Sequence, residues 1–254
     1  MKLAEAIARF LDSLGQKESA HPKHRPAIDD EALMQLTEYF SRDLPLADIT
    51  PSMLRDFLGR WYAEKACAPN RNYSEFKPDE LPETAPTVRA ESDQSSQARR
   101  LFDSLGEFFI WADQQMGTDL VGSLSPVLSE LRKTLPRALE ITNALSAWLR
   151  ERGGAFSFPE FLTSFEEGGS SQYDIDVPGS IGAIDGYFRI LRVEGSLVEA
   201  EELISEERVW PIVFPSEAAA LLSDGYIIHL ELVRKVEGWQ IAGCGFTYPP
   251  GTEI

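Results

Sequence analysis

The sequence predicts an α+β protein of two segregated parts: an N-terminal all-α helical bundle and a small C-terminal antiparallel β-barrel of the OB or SH3-like kind. Three observations carry this prediction. Up to about residue 150 the apolar residues recur at helical spacing. From about residue 187 they fall into short runs of strand length. Between the two lies a Gly-, Ser- and Phe-rich stretch with little periodicity. The 254 residues thus divide into a helical domain over 1–150, a connection over 151–170 and a strand domain over 171–254.

Each element has its own signal. Leu3, Ile7, Phe10, Leu11 and Leu14 share one helical face, and Gly15 is a natural stop. Residues 16–26 read as a linker. A second helix starts at a cap provided by Asp29 or Asp30 and buries Leu33, Leu36, Tyr39 and Phe40. A third begins at Thr50-Pro51. Threonine accepts a bond from an orphan amide, and proline in the first turn loses nothing by lacking an N–H. Leu54, Phe57, Leu58 and Trp61 follow at helical spacing. Four prolines then interrupt a polar stretch, a long loop over about 68–94. Helical spacing returns with Leu101, Leu105, Phe108, Phe109 and Ala112, closed by Gly117. Ser125-Pro126 repeats the cap-plus-proline start, and Pro136 is expected to break or kink the helix that follows. The strand candidates are Tyr187–Val193, Leu197–Ala200, Val209–Phe214, Tyr226–Val233 and Trp239–Phe246, with tight links at 194–196 and 237–238. A helical turn or two, ended by Gly225, falls between the third and fourth.

Composition bounds the function. Apolar and charged fractions of 43% and 26% are those of a globular chain, and no apolar run is long enough for a membrane span. Glu5 and Asp12 interrupt the N-terminal apolar stretch, so no signal peptide is read and a cytoplasmic location is expected. The two cysteines, Cys67 and Cys244, sit in no metal-binding pattern, and nothing motivates a disulfide between them. The net charge of −17 is uneven. Residues 1–150 hold 18 basic against 23 acidic side chains, net −5, and residues 151–254 hold 6 against 18, net −12. Such a surface favours solubility, repels nucleic acid and attracts basic partners.

Two stretches resemble a known family. DITPSMLRDFL at 48–58 and RRLFDSLGEFFIWA at 99–112 resemble the helical, SAM-like core-binding domain of phage-integrase tyrosine recombinases, over about residues 31–120. The resemblance implies a helical fold that grips DNA with basic side chains. Arg55, Arg60, Lys65, Arg99, Arg100, Arg132 and Lys133 are the positions that would do so; the other reading of all seven is an ordinary solvated helix surface. The recombinase chemistry does not follow. It needs two arginines, a lysine, histidines and a tyrosine nucleophile. After residue 150 there are six basic residues, one histidine (His229) and no His-x-x-Arg box. Tyr248 lies where the family nucleophile would, with nothing in the adjacent sequence to activate it. No catalytic residue carries over. The Pro-rich loop also departs from the family's short connection.

Other constellations read as structural. His21 and His24 flank Pro22 in an extended stretch, so no metal is expected there. Glu166–Ser171 lacks the Lys-Ser/Thr ending of a phosphate loop. Asp174, Asp176 and Asp185 fit no calcium loop, and Glu199, Glu201 and Glu202 lie beside a hairpin turn. The strand-domain aromatics suit core packing and a protein-binding face better than base stacking. The expectation is a non-enzymatic interaction protein working through a protein partner, with no cofactor, metal or membrane. The alternative is an accessory DNA-binding protein using the helical part. A third reading is an enzyme with a site at the domain junction, drawing on His229 or the acids at 166–176.

Overall fold

The computed structural model describes residues 1–18, 28–67, 91–152 and 181–254. The linker, the His21/His24 pair, most of the Pro-rich loop, the 166–171 loop, Asp174 and Asp176 lie outside the described residues. The chain forms helices in its first and middle parts and a five-stranded mixed sheet at its C-terminal end. It divides into two compact units, Met1–Pro136 with Glu253–Ile254, and Arg137–Thr252.

The first unit contains α1 (Leu3–Glu18), α2 (Asp30–Tyr39), α3 (Pro51–Asp56), a π-helical turn (Phe57–Tyr62), α4 (Ala63–Cys67), α5 (Glu91–Met116) and the start of α6 (Leu120–Glu151). The capping chemistry follows the letters. Asp29 accepts from Ala32 N at 3.0 Å and Thr50 from Met53 N at 3.2 Å, with Pro51 in the first turn. Leu54, Phe57, Leu58, Leu101, Leu105, Phe108 and Phe109 are all buried. The segments that resemble the recombinase domain therefore place most of their apolar letters in a core.

Three expectations in this unit are corrected. Gly15 does not stop α1, which continues to Glu18; a helix ends at glycine only where the backbone turns left-handed, and Gly15 keeps a negative φ. The loop gives way to helix at Glu91, before its expected end at 94. Ser125-Pro126 is not a start, because α6 begins at Leu120. Its cap comes from the preceding helix: Asp113 accepts from Thr118 Oγ1 (2.6 Å), Leu120 N (2.8 Å) and Val121 N (2.9 Å) across the turn at Gly117, whose φ is +66°.

Of the break or kink expected at Pro136, a break does not occur. α6 runs to Glu151 with Pro126 and Pro136 inside it. Each interior proline costs about 3 kcal/mol. Against that, Leu124, Leu131, Leu135, Leu139, Ile141, Leu145 and Leu149 are buried along the same helix, each worth about 1.5–3 kcal/mol. Burial wins. The turns of α6 from Arg137 onward belong to the second unit, ahead of the change-over expected after residue 150.

In that unit β1 (Gly182–Glu194), β2 (Leu197–Glu202), β3 (Arg208–Val213), α7 (Ser216–Leu221), β4 (Ile227–Lys235) and β5 (Gly238–Tyr248) follow in order. The strand order is β1-β2-β3-β5-β4, and β4 pairs back to β1, so the ring of pairings closes. The expected all-antiparallel arrangement is corrected in one place: β3 and β5 run parallel, paired at Ile212–Trp239 and Val213–Gln240. The link through α7, β4 and the β4–β5 turn brings β5 back in the direction of β3. Gly195 (φ +62°) and Gly238 (φ +132°) make the two tight turns the letters indicated.

The interior holds Phe188, Ile190, Val198, Ala200, Ile212, Ile228, Leu230 and Leu232 from the strands. Ala138, Ile141, Leu145 and Leu149 of α6 and Ala218 and Ala219 of α7 join them. β5 pairs with β4 along nearly its whole length but with β3 at only two residues. α6 supplies one further partner: Thr142 Oγ1 accepts from Thr247 N at 2.9 Å, a buried bond. Burial, with a smaller opposing effect from Ser146, pushes the Cys244 thiol up to about 12.

Candidate functional site

The outer surface of β1, β2 and β3 gathers charged and apolar side chains in three rows. Register sets them: Glu194 pairs with Leu197 and Leu197 with Val213, Arg192 with Glu199, and Arg189 with Glu201 and Glu201 with Arg208. Two bulges adjust the middle row. Leu191 is an extra residue on β1, and Trp210 and Pro211 together oppose Glu199 from β3. The bulge on β1 lets Arg189 and Arg192, three apart in sequence, share one face.

The electrostatics of this face have an inverted pattern. Arg192 is clamped between two carboxylates, Glu194 at 3.1 Å and Glu199 at 3.2 Å. Glu201 is clamped between two guanidinium groups, Arg189 at 3.6 Å and Arg208 at 3.5 Å. One end of the face is thus acid-rich and the other base-rich, with three charges of each sign. The Arg192 guanidinium also lies 5.0 Å over the Trp210 ring. Trp210 is 39% exposed, Leu197 36% and Val213 41%. Among the described residues from 181 onward, the aromatics Phe188, Phe214, Tyr226, Trp239, Phe246 and Tyr248 are buried, Tyr187 is half-buried and Trp210 is exposed.

The base-rich end adjoins a firmly held turn. Glu202 is buried, and its Oε2 accepts from Ile204 N (2.9 Å) and Ser205 N (2.5 Å). Gly186 makes room for it: a Cβ there would sit 2.8 Å from Glu202 Oε1. Glu206 takes a left-handed φ of 57° within the same turn. Glu202 is therefore a turn latch, whereas its neighbours Glu199 and Glu201 belong to the ion-paired face.

On another part of the strand ring, His229 Nε2 lies 3.2 Å from Asp185 Oδ1, and its ring meets Tyr187 edge-on at 5.0 Å. Gly245 permits this, since a Cβ there would stand 2.9 Å from His229 Nδ1. Tyr248 is buried, packed 6.1 Å from Tyr187 and 6.2 Å from Phe246. Among the described residues no group of His, Cys, Asp and Glu is placed to hold a metal ion. Cys67 is half-buried and Cys244 buried, and neither is in a disulfide.

In the helical unit five of the seven cations have acidic partners, spread over several elements. Arg55 makes a bidentate bond to Glu130 at 2.9 and 2.6 Å, which raises its own pKa and lowers that of Glu130. Arg60 pairs with Glu64 at 3.7 Å, Arg100 with Asp29 at 3.7 Å, Lys65 with Glu38 and Arg132 with Asp103. Lys65 also covers the Trp61 ring at 4.6 Å. Arg99 and Lys133 are exposed. Glu130 and Arg132 are two residues apart on α6, about 200° around the helix, so Arg55 and Arg132 fall on different sides of it. A groove of about 270 Å³ between α5 and α6 is lined by Phe102, Phe109, Ile110, Val121 and Leu128, with Arg132 at its rim.

Of the residues on the β1–β2–β3 face, the sequence singles out the acids Glu199 and Glu201 beside the hairpin turn. A partial signal existed: three of the six basic residues after position 150 lie in β1 and β3. No described helix is long and apolar enough to cross a membrane. No protein-family description, curated protein or solved structure matches the chain.

Proposed function

We propose that this chain is a non-enzymatic, cytoplasmic interaction protein that binds a protein partner through the outer face of β1, β2 and β3. We read the five-stranded ring as a small barrel of the OB kind; its strand order, its parallel β3–β5 pair and the helix between β3 and β4 support that type over the SH3-like one. In such barrels the face of strands 2 and 3 is a surface that binds oligonucleotides and oligosaccharides; the side chains on it here favour a protein instead. The observation that carries the reading is the exposed Trp210, stacked under Arg192 and flanked by Leu197 and Val213. Tryptophan and arginine dominate the energetic centres of protein interfaces. The charge balance favours a protein over nucleic acid. Every arginine of the face already has a carboxylate within 3.6 Å. A phosphate backbone gains its affinity from cations free to replace counterions.

A photo-crosslinking residue in place of Trp210, in the full chain expressed in its own cells, tests this. A discrete protein adduct at 210, absent when the same group stands at exposed Lys133, is the expected result. No adduct at 210 would sink the proposal.

The sequence resemblance alone carries a second reading, duplex DNA bound through the helical part. Anisotropy of a labelled mixed-sequence duplex against the full chain decides it. Salt-sensitive binding lost in Arg99→Glu/Arg100→Glu would establish it, and no binding at low salt would remove it.

A further inference from the structure

We infer that the partner of the β1–β2–β3 face is a second copy of this chain, an inference that rests on the reading of that face as a protein-binding surface. The argument is charge complementarity of the face with itself. Its acid-rich end is Glu194–Arg192–Glu199 and its base-rich end Arg189–Glu201–Arg208. A twofold axis lying in the interface, across the strands at the middle row, lays the Glu194–Leu197–Val213 row of one copy on the Arg189–Glu201–Arg208 row of the other and keeps Arg192, Glu199 and Trp210 at the axis. Isologous dimers of this kind use one patch twice. Glu194 then faces the second copy's Arg189, and Val213 lies under the aliphatic stem of the second copy's Arg208. Arg192 can exchange Glu199 for the second copy's Glu199, and the two Trp210 rings meet at the axis.

A parallel twofold axis, or a partner of uniform charge, does less well. An axis along the strands keeps each row opposite its own kind and leaves the acid-rich ends together. A uniformly basic partner matches Glu194 and Glu199 but opposes Arg189 and Arg208, and a uniformly acidic one fails at the other end. Like charges in contact cost specificity and affinity.

The size of the face sets the strength. Three strands about 4.8 Å apart, each contributing about 20 Å of length, give on the order of 300 Å² per copy. That is well below the roughly 800 Å² per partner of a standard stable interface. The dimer is therefore weak and concentration-dependent, with a dissociation constant of micromolar order or weaker.

Sedimentation equilibrium of the full chain from about 10 μM to about 1 mM, at low and high salt, measures it. The expected result is a monomer–dimer equilibrium that weakens as salt rises. Trp210→Ala should raise the dissociation constant by about tenfold or more. Arg189→Glu/Arg208→Glu leaves Arg192 as the one cation among five carboxylates of the face, and Glu194→Arg/Glu199→Arg leaves Glu201 as the one carboxylate among five cations. Each variant alone should be monomeric, and an equimolar mixture should form a heterodimer. Heterodimer recovery also shows that both variants fold. Dimerisation of either charge variant as strong as that of the native chain would overturn the inference. A native chain that stays monomeric would also overturn it, and the crosslinker at 210 then separates the two claims. An adduct with a different protein leaves the interaction reading standing, and no adduct removes both.

Discussion

Gly186 shows how much one methyl group can matter here. A Cβ at this position would press within 2.8 Å of the Glu202 carboxylate. That carboxylate is buried and already committed to two backbone amides of the β2–β3 turn. It has little room to move without releasing them. Gly186→Ala should therefore destabilise the chain by about 1–3 kcal/mol, and Glu202→Ala by a similar amount through two abandoned amides. Urea unfolding followed by circular dichroism measures both. The cysteines provide a second test at this scale. Cys244 is buried with its thiol pushed up to about 12, while Cys67 is partly exposed. Only the thiolate reacts. Ellman's reagent should modify one thiol in the native chain and two after denaturation. Gly186 and Glu202 could not be paired from the letters, because a glycine in a strand says only that something comes close. The identity of that neighbour depends on register.

At the scale of elements, local chemistry was legible and distant chemistry was not. Thr50-Pro51 caps α3 because cap and amide are three residues apart. The α6 start was misplaced because its cap, Asp113, sits seven residues before Leu120 in another helix. Burial pushes the Asp113 carboxyl up, but bonds from Thr118, Val121 and Leu120 outweigh it and leave its pKa below the usual 3.8. A depressed carboxylate contributes fully above its unfolded value and loses that contribution as pH falls through the lower folded one. Asp113→Ala should cost about 1 kcal/mol at neutral pH. Its deficit should shrink below pH 3.8, a convergence that unfolding curves across pH would show. Exposed Pro126 works the other way. Pro126→Ala restores a donor to the Gly122 carbonyl and should stabilise α6 by about 1 kcal/mol or more, read from the urea midpoint. In the strands, short apolar runs located all five. The outer face stayed hidden because the bulge at Leu191 shifts Arg192 onto the side of Arg189, which strict alternation forbids.

At the scale of the whole molecule, composition divided the chain by charge and by pattern, and the structure keeps helices first and strands last. The net −12 of residues 151–254 pointed away from any basic surface. That total conceals a face where three arginines meet three glutamates. A net charge is a sum, and recognition depends on arrangement. The association proposed for that face should show in sedimentation as salt-sensitive, in contrast to an apolar contact such as the α5–α6 groove would make, which salt would not weaken.

The seam that α6 closes bears on where this chain can be cut. Ala138, Ile141, Leu145 and Leu149 belong to the same buried cluster as the inward side chains of the strands, and Thr142 satisfies an amide of β5. A fragment beginning at Gly154, where the composition changes, would carry every strand yet leave this part of their interior open to water. It would lose four apolar side chains and an acceptor at once, several kcal/mol against a typical total of 5–15. Such a fragment should aggregate or stay molten, and one beginning near Leu120 should fold. The heritable unit of this architecture is thus a set of strands together with a piece of the helix before them. Recombination at the compositional border would not transmit it intact.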